Sequence, residues 1–227
     1  MAQGSTKTVA VIGTGRMGGA FGAAFSRAGY TVIYGSRTPS DTKVQGVVGA
    51  TKGAKAMTPK DAAAAADIIV LAVPWAGTEA TVKSLGDCAG KLVLDPTNAI
   101  QFGKDGASLS VATSGGELVR DWMPGAKVVK AFNTVGYFVI ADTAVLDGKV
   151  GCFLAGDDAA SKAQVRELVT AMGFDAIDVG GMRAARVLEG MSTLYMVPYM
   201  SGNQGDRFEW AVRRSGNVKL GPVRTAG

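Results

Sequence analysis

The chain has 227 residues, 47% of them apolar and 19% charged, a composition typical of a globular protein with one α/β domain and a small extension. Its net charge of +5 comes from basic residues scattered among acidic ones, which argues against nucleic-acid binding and favours a small anionic ligand. The absence of histidine excludes a Ser-His-Asp or Cys-His catalytic arrangement, and with only Cys88 and Cys152, far apart, we expect no metal site.

Strand and helix patterns alternate from the start of the chain. Residues 7–12 are a β-branched apolar run typical of a buried parallel strand, and a glycine turn and a helical pattern to about Ala28 follow. A second strand is predicted over 31–35. Thr58 and Pro59 are typical of the first positions of a helix, and the next strand is predicted over 68–73.

The alternation continues to about residue 180. Strands are predicted over 91–94, 127–132, 151–155 and 176–179, and helices over 75–85, 117–122 and 157–172. Residues 101–116 are predicted to be a loop because they are rich in glycine and serine. Beyond Gly181 only helices are predicted, over 182–199 with an interruption at Pro198, and over 205–214.

Alternating strands and helices predict a Rossmann-like, doubly wound α/β fold with a mainly parallel sheet and a helical C-terminal appendage. We expect residues 1–180 to form the nucleotide-binding domain. Residues 181–227 are expected to be a helical extension that is not an independent domain.

The turn Gly13-Thr14-Gly15-Arg16-Met17-Gly18 lies between a predicted strand and a predicted helix, the context of a dinucleotide-binding turn. Gly13 permits the tight turn, Gly15 lets the backbone approach a pyrophosphate, and Gly18 allows close packing of helix on strand. The free N–H groups at the helix N-terminus would then bind the phosphates. A tight turn without a ligand is the alternative.

The end of the second strand carries Ser36 and Arg37 where NAD-binding proteins have an acidic residue for the ribose 2′-hydroxyl. A guanidinium suits phosphate oxygens, so the pair favours NADP over NAD. Thr14 and Arg16 could add a hydroxyl and a second cation. The alternative for Arg37 is an ordinary solvated surface charge.

Five segments together resemble the F420-dependent NADP reductases and related NADP-binding oxidoreductases, a group that includes the reductase domain of the STEAP ferric reductases. They are VAVIGTGRMGGAFGAAFSRAGYTVIYGSR, LAVPW, VLDPTN, VVKAFNT and CFLAGDD. The resemblance covers residues 7–200. It implies that NADP(H) lies across the strand ends, with the 2′-phosphate on Thr14, Ser36 and Arg37.

The resemblance also places the nicotinamide end near Val73-Pro74-Trp75, Asp95–Asn98 and Ala131–Thr134. Coenzyme F420, a flavin or another acceptor would lie on the nicotinamide face, and hydride transfer between stacked rings asks for positioning and no proton relay. Pro74-Trp75 and Pro96–Asn98 follow strands, where open α/β sheets bind ligands. Asn98 and Asn133 could bind the carboxamide or ribose, or simply form loops, and Trp75 could stack on a ligand or lie in the core.

The predicted C-terminal helix has apolar residues at helical spacing, which favours core or subunit packing. They are Leu188, Met191, Leu194, Tyr195 and Val197. The resemblance implies a homodimer through C-terminal helices, with this stretch also facing the acceptor and Glu189 as a candidate polar contact. One departure is Thr38–Asp41, where the F420 enzymes often have another cation.

We therefore expect an NADPH-dependent oxidoreductase with no side chain identified as acid or base. One alternative is reduction of an imine, a carbonyl or a ferric chelate; for an imine or carbonyl, Tyr137, Tyr195, Tyr199 or Asp95 could donate a proton. Another is a non-catalytic NADP(H) sensor.

The chain start lacks secretory-signal features, no apolar run reaches about 18 residues, and there is no CxxC pair. We expect a reduced, cytoplasmic protein with a small-molecule redox partner, and no nucleic-acid or membrane partner.

Overall fold

A computed structural model describes residues 7–104, 106–200 and 208–214. The strands are β1 (Thr8–Ile12), β2 (Thr31–Gly35), β3 (Lys55–Met57), β4 (Ile68–Leu71), β5 (Leu92–Asp95), β6 (Ile100–Gly103), β7 (Gly106–Leu109), β8 (Lys127–Lys130), β9 (Gly151–Leu154) and β10 (Asp175–Asp178). The α-helices are α1 (Arg16–Arg27), α2 (Thr42–Gly49), α3 (Pro59–Ala65), α4 (Trp75–Ser84), α5 (Gly115–Trp122), α6 (Tyr137–Ala141), α7 (Ala159–Ala171) and α8 (Ala185–Met200), with short 3₁₀ helices at Thr143–Val145 and Met182–Ala184.

Six strands form a parallel sheet in the order β3-β2-β1-β4-β5-β8. The chain winds outward from β1 in one direction through β2 and β3, and in the other through β4, β5 and β8. Ligands bind where such a sheet changes direction, outside the carboxyl ends of the strands. Here that point lies between β1 and β4, and the glycine turn follows β1 directly.

Successive residues of β1 face opposite sides of the sheet, so each strand contributes to two buried clusters. Val9 and Val11 pack with Phe21 and Phe25 of α1 on one side. On the other side Ala10 and Ile12 pack with small and aliphatic residues of α3 and β4. The predicted doubly wound α/β fold is confirmed.

The predicted loop over 101–116 is wrong in its first half, where β6 and β7 form an antiparallel hairpin. Gly103 pairs with Gly106, and Gly106 has φ of +114°. The glycines that indicate a loop in the sequence therefore close a turn between two short strands. The hairpin contacts α8 through β7.

β9 and β10 do not extend the six-stranded sheet in parallel. They pair with each other as a separate two-stranded parallel sheet, and the link to β8 is an antiparallel bridge between Lys130 and Ala155. The parallel geometry ends here because the chain returns beside β8 in the opposite direction.

The C-terminal region differs from prediction in two places. Pro198 lies inside α8, which continues to Met200, so the missing proline N–H costs one backbone hydrogen bond and does not stop the helix. The helix predicted over 205–214 is wrong for 208–214, which are irregular. In this segment the Trp210 carbonyl accepts a hydrogen bond from the Gly151 N–H. The first three residues of that predicted helix lie outside the described part. Within the described residues no helix has the length and apolarity to span a bilayer.

Candidate functional site

The three glycines of the turn after β1 have different surroundings. A Cβ on Gly13, which has φ of +114°, would lie 2.3 Å from the Ala72 carbonyl oxygen, and a Cβ on Gly18 would lie 2.1 Å from the Gly13 carbonyl oxygen. A Cβ on Gly15 would meet no protein atom within 4 Å. Packing therefore explains Gly13 and Gly18, whereas Gly15 leaves space that a ligand can use.

Helix α1 begins at this turn without a side-chain cap. Its N-cap is Gly15, and its first turn contains no acidic residue. Helices α2, α3, α5 and α7, by contrast, are capped by Asp41, Thr58, Ser114 and Asp158. Uncapped N–H groups and the positive end of the helix dipole form a site for an anion such as a pyrophosphate.

A cavity of about 400 Å³, here called the β2 cavity, opens beside the ends of β1 and β2. Its polar lining comes from the glycine turn, the β2 end, the start of α2 and one residue of α4: Thr14, Ser36, Arg37, Thr38, Asp41, Lys43 and Thr81. The Asp41 carboxylate accepts the Lys43 N–H as the cap of α2. Two exposed cations, Arg37 and Lys43, therefore face one cavity.

Ser36 is prepared to donate a hydrogen bond into the β2 cavity. Its Oγ accepts the Thr38 N–H at 3.2 Å, so the hydroxyl proton is left to bind an acceptor such as a phosphate oxygen.

Lys43 was missed by the sequence reasoning. The sequence feature that could have indicated Lys43 is Asp41, a typical helix N-cap. A helix that starts there turns its first residues, including Lys43, toward the end of β2.

A second cavity of about 370 Å³, the β4 cavity, adjoins the first at Gly15 and Ala72–Pro74. Its lining is mostly apolar and comes from three strand ends: Gly15, Arg16, Met17, Leu71, Ala72, Val73, Pro74, Pro96 and Thr97. Together the two cavities form a continuous depression from the end of β2 to the end of β5. That shape suits an extended ligand with a charged end and a flat apolar end.

The remaining predicted site residues lie outside both linings. Trp75 stacks on Trp122, with ring centroids 5.6 Å apart, and Ala131 is completely buried. Gly18 lies beneath the turn and is used in packing. Asn98 and Asn133 follow β5 and β8 but bind each other.

The two asparagines form a network that reaches α8. Asn133 Nδ2 donates to Asn98 Oδ1 at 3.0 Å and to the Leu188 carbonyl at 2.9 Å, and Asn98 Nδ2 donates to the Asn133 carbonyl at 2.9 Å. Asn133 is buried, and its Oδ1 has no hydrogen-bond partner among the described residues. The amide donors are thus used within the protein.

Phe132, between Ala131 and Asn133, has φ of 62°, a conformation that is strained for a bulky side chain. Its ring is held edge-on by Phe21 at 5.3 Å and by Phe174 at 5.4 Å. Core packing therefore enforces a backbone turn at the end of β8, beside the asparagine network.

A buried ion cluster, missed by the sequence reasoning, lies behind the β4 cavity. Lys130 Nζ is 2.8 Å from Asp95 Oδ2 and 2.8 Å from Glu189 Oε1, and all three side chains are fully buried. Burial lowers the pKa of Lys130, but the two carboxylates outweigh it, so its pKa lies above the usual value. The available signal was a lysine within the apolar run Val128–Phe132.

The candidate proton donors lie in different surroundings. The Tyr137 ring is exposed, with the Arg16 guanidinium 5.7 Å from its centroid. Asp95 is paired with Lys130, and Tyr195 donates to Glu209 Oε1 at 3.0 Å. Burial raises the pKa of the Glu209 carboxyl. The Tyr199 side chain lies outside the described part. Tyr137 lies beside Arg16 of the β4 cavity, and Asp95 lies behind that cavity, bonded to Thr97 of its lining.

Comparison with known proteins gives consistent matches. Residues 8–99 match the family model described as NADP oxidoreductase, coenzyme F420-dependent. The F420-dependent NADP reductase of Methanocaldococcus jannaschii is 31% identical over 166 residues, which cover 65% of this chain and 70% of that protein. The metalloreductase STEAP3 of Rattus norvegicus is 26% identical over 182 residues, 80% of this chain, but the chain spans only 35% of its length.

A similar fold is found in a solved structure. The crystal structure of a putative F420-dependent NADP reductase from Arthrobacter sp. FB24 superposes with a TM-score of 0.82 at 27% identity, covering 90% of this chain and 99% of that one.

Proposed function

Because this chain belongs to the F420-dependent NADP reductase family, and is thus an NADP-dependent oxidoreductase, we propose that it transfers hydride between NADP(H) and a planar acceptor, coenzyme F420 or a flavin. The observation that supports NADP(H) as the cofactor is that two cations, Arg37 and Lys43, line the same β2 cavity, close to the uncapped start of α1. A 2′-phosphate needs cations there, whereas NAD-binding proteins have an acid.

In this proposal the adenosine and its phosphates occupy the β2 cavity. Thr14, Ser36, Arg37 and Lys43 bind the 2′-phosphate. Gly13, Gly15 and the first N–H groups of α1, at Arg16 and Met17, bind the pyrophosphate, and Gly18 keeps the helix close enough for them to do so.

The nicotinamide then lies in the β4 cavity, whose apolar lining includes Met17, Val73, Pro74 and Pro96. A nicotinamide bound there would supply a hydride, with its electron pair, from C4 to the acceptor ring, and the reverse transfer would use the same lining. The residues hold the ring, exclude water and orient it. Trp75, Asn98, Ala131 and Asn133 would act from behind this lining, because they support the strand ends that form it.

The test is NADPH oxidation with a panel of acceptors: coenzyme F420, FMN, a ferric chelate and a simple cyclic imine. We expect turnover with F420 or FMN and none with the imine. NADPH binding without reduction of any acceptor would instead indicate a sensor.

Tyr137 supports a second candidate, reduction of a carbonyl or imine, which needs a proton donor. Its exposed ring lies beside Arg16 at the β4 cavity. Under this alternative Tyr137→Phe abolishes turnover while NADPH binding survives. Ring-to-ring transfer predicts that turnover is retained in Tyr137→Phe, as in a control Tyr30→Phe variant, since Tyr30 packs on Phe25 away from both cavities.

We also propose that two copies associate through α8, which belongs to an extension of the nucleotide-binding domain over residues 181–227. Several large apolar side chains are exposed on α8 and on the adjoining hairpin, namely Phe102, Val187, Leu194 and Val197. Sedimentation of the wild type and of Leu194→Asp would distinguish a dimer from a monomer. Cytoplasmic location remains an expectation from the sequence.

A further inference from the structure

Helix α8 is joined to the strand ends behind the β4 cavity by two consecutive residues. The Leu188 carbonyl accepts from Asn133 Nδ2 at 2.9 Å. The Glu189 carboxylate accepts the N–H groups of Gly115 at 2.9 Å and Gly116 at 3.0 Å, and it pairs with Lys130. Glu189 was expected to face the acceptor. It is instead fully buried and lies within the polar cluster.

The same cluster holds the loop after β5. Lys130 Nζ donates to the Thr97 carbonyl at 2.7 Å, and Asp95 Oδ1 accepts from both the Thr97 N–H at 2.9 Å and the Thr97 hydroxyl at 2.6 Å. Glu189 Oε2 accepts the Ala99 N–H at 3.2 Å. Every polar group of Thr97 is therefore fixed, and Thr97 with Pro96 lines the β4 cavity.

The charges of the cluster explain why Glu189 is required. One cation, Lys130, faces two carboxylates, and the start of α5 adds two N–H groups and the positive end of a helix dipole beside Glu189. Loss of the Glu189 charge would leave Lys130 with one carboxylate, so its Nζ would no longer be held between two opposing anions. The bond to the Thr97 carbonyl would then loosen.

Global stability is a poor explanation for such a cluster, because buried ion pairs are often no more stabilising than apolar residues of the same volume. Their well-supported use is to specify one geometry. Here the cluster fixes the conformation of the Thr97 loop, which lines the β4 cavity. The Glu189 charge that takes part in this comes from α8, a helix outside the sheet.

We propose that Glu189 is a positioning residue: through Lys130 and the Thr97 loop it holds the β4 cavity in the shape that receives the nicotinamide end of the cofactor. This inference rests on the proposed function, since it takes the β4 cavity as the nicotinamide site. It predicts a defect confined to the nicotinamide half of the ligand.

The experiment compares two ligands by calorimetry on the full chain: NADP⁺, which would fill both cavities, and adenosine 2′,5′-bisphosphate, which would fill only the β2 cavity. In Glu189→Gln we expect the Kd of NADP⁺ to rise about tenfold, as for loss of about one well-made interaction, while the Kd of the bisphosphate stays within about twofold. Glu167→Gln is the matched control, because Glu167 is an exposed carboxylate on α7, and it should change neither.

If Glu189→Gln does not fold, Glu189→Asp provides the same comparison, since it keeps the charge but shortens the reach to Lys130 and the α5 amides. Equal weakening of both ligands, or of neither, would overturn the positioning role. Failure of the wild type to bind either ligand would overturn the proposed function instead, so the two failures are distinguishable.

Discussion

Gly13 and Gly18 touch backbone to backbone: a Cβ on Gly18 would lie 2.1 Å from the Gly13 carbonyl oxygen. The start of α1 can therefore lie against the turn only when Gly18 has no side chain, whereas a Cβ on Gly13 would meet the Ala72 carbonyl oxygen after β4. Between them, Gly15 faces open space. The turn thus combines a rigid base with a free surface for a ligand.

Gly18→Ala should therefore displace the start of α1 from the strand. We expect the free energy of unfolding to fall by about 2 kcal/mol, because the clash is with backbone that cannot rotate away. The Kd for NADP⁺ should rise more than about tenfold, since the phosphate-binding N–H groups move with the helix. Urea unfolding and calorimetry measure the two effects.

The neighbouring residue supplies the control. A Cβ on Gly19 would lie 3.9 Å from Val47 Cγ1, an ordinary contact. Gly19→Ala should leave NADP⁺ binding unchanged and raise stability by about 0.5–1 kcal/mol, the usual gain for alanine over glycine in a helix. Equal effects in the two variants would contradict the packing argument.

Arg37 should determine the choice between NADP and NAD. Arg37→Asp replaces a guanidinium that can donate hydrogen bonds to the 2′-phosphate with a carboxylate that repels it. The carboxylate can instead accept a hydrogen bond from a ribose 2′-hydroxyl. We expect NADP⁺ affinity to fall at least about tenfold, with NAD⁺ affinity equal or improved. Fluorescence titration of both nucleotides measures the ratio, and an unchanged NADP⁺ affinity would remove Arg37 from the site.

Lys43 should also favour NADP over NAD, but by less than Arg37, because a flexible ammonium group binds phosphate less specifically than a planar guanidinium. Lys43→Gln should weaken NADP⁺ binding about fivefold and leave NAD⁺ unchanged, as expected for one lost charge-assisted hydrogen bond. Lys52→Gln is the control, since Lys52 is exposed but outside the lining of the β2 cavity. The prediction fails if both lysine variants behave alike.

The ion pair between Glu117 of α5 and Arg186 of α8 should make stability depend on pH. Arg186 donates two hydrogen bonds of 2.8 Å to the Glu117 carboxylate and, with Ser114, lowers the pKa of Glu117 from 4.5 to about 2. Because the folded pKa is depressed, this contribution is present above about pH 4.5 and is lost as pH falls toward 2.

Arg186→Gln should therefore lower the free energy of unfolding at neutral pH, and its difference from the wild type should shrink between pH 5 and pH 2. Urea unfolding across that range measures it. Arg183→Gln serves as control, because Arg183 is exposed and forms no ion pair with a described residue. A difference that is constant with pH would exclude Glu117 as the cause.

Local patterns were sufficient to predict most of the sheet. The second strand was predicted over 31–35 and is observed as Thr31–Gly35, and Thr58 caps α3 with Pro59 in its first position. Apolar runs and caps are properties of neighbouring residues, so they can be read directly. The β6–β7 hairpin was missed because its glycines indicate both a loop and a turn, and only the pairing of Gly103 with Gly106 distinguishes these.

By itself the sequence determined the α/β fold class, the glycine turn after β1 and the cation after β2, because each depends on residues adjacent in the chain. Only the tertiary structure decided that Lys43 joins Arg37 at one cavity, that Asn98 and Asn133 bind each other, and that Lys130 joins Asp95 and Glu189. The physical reason is that a buried charge or amide must find a partner, and the fold brings that partner from a distant part of the chain.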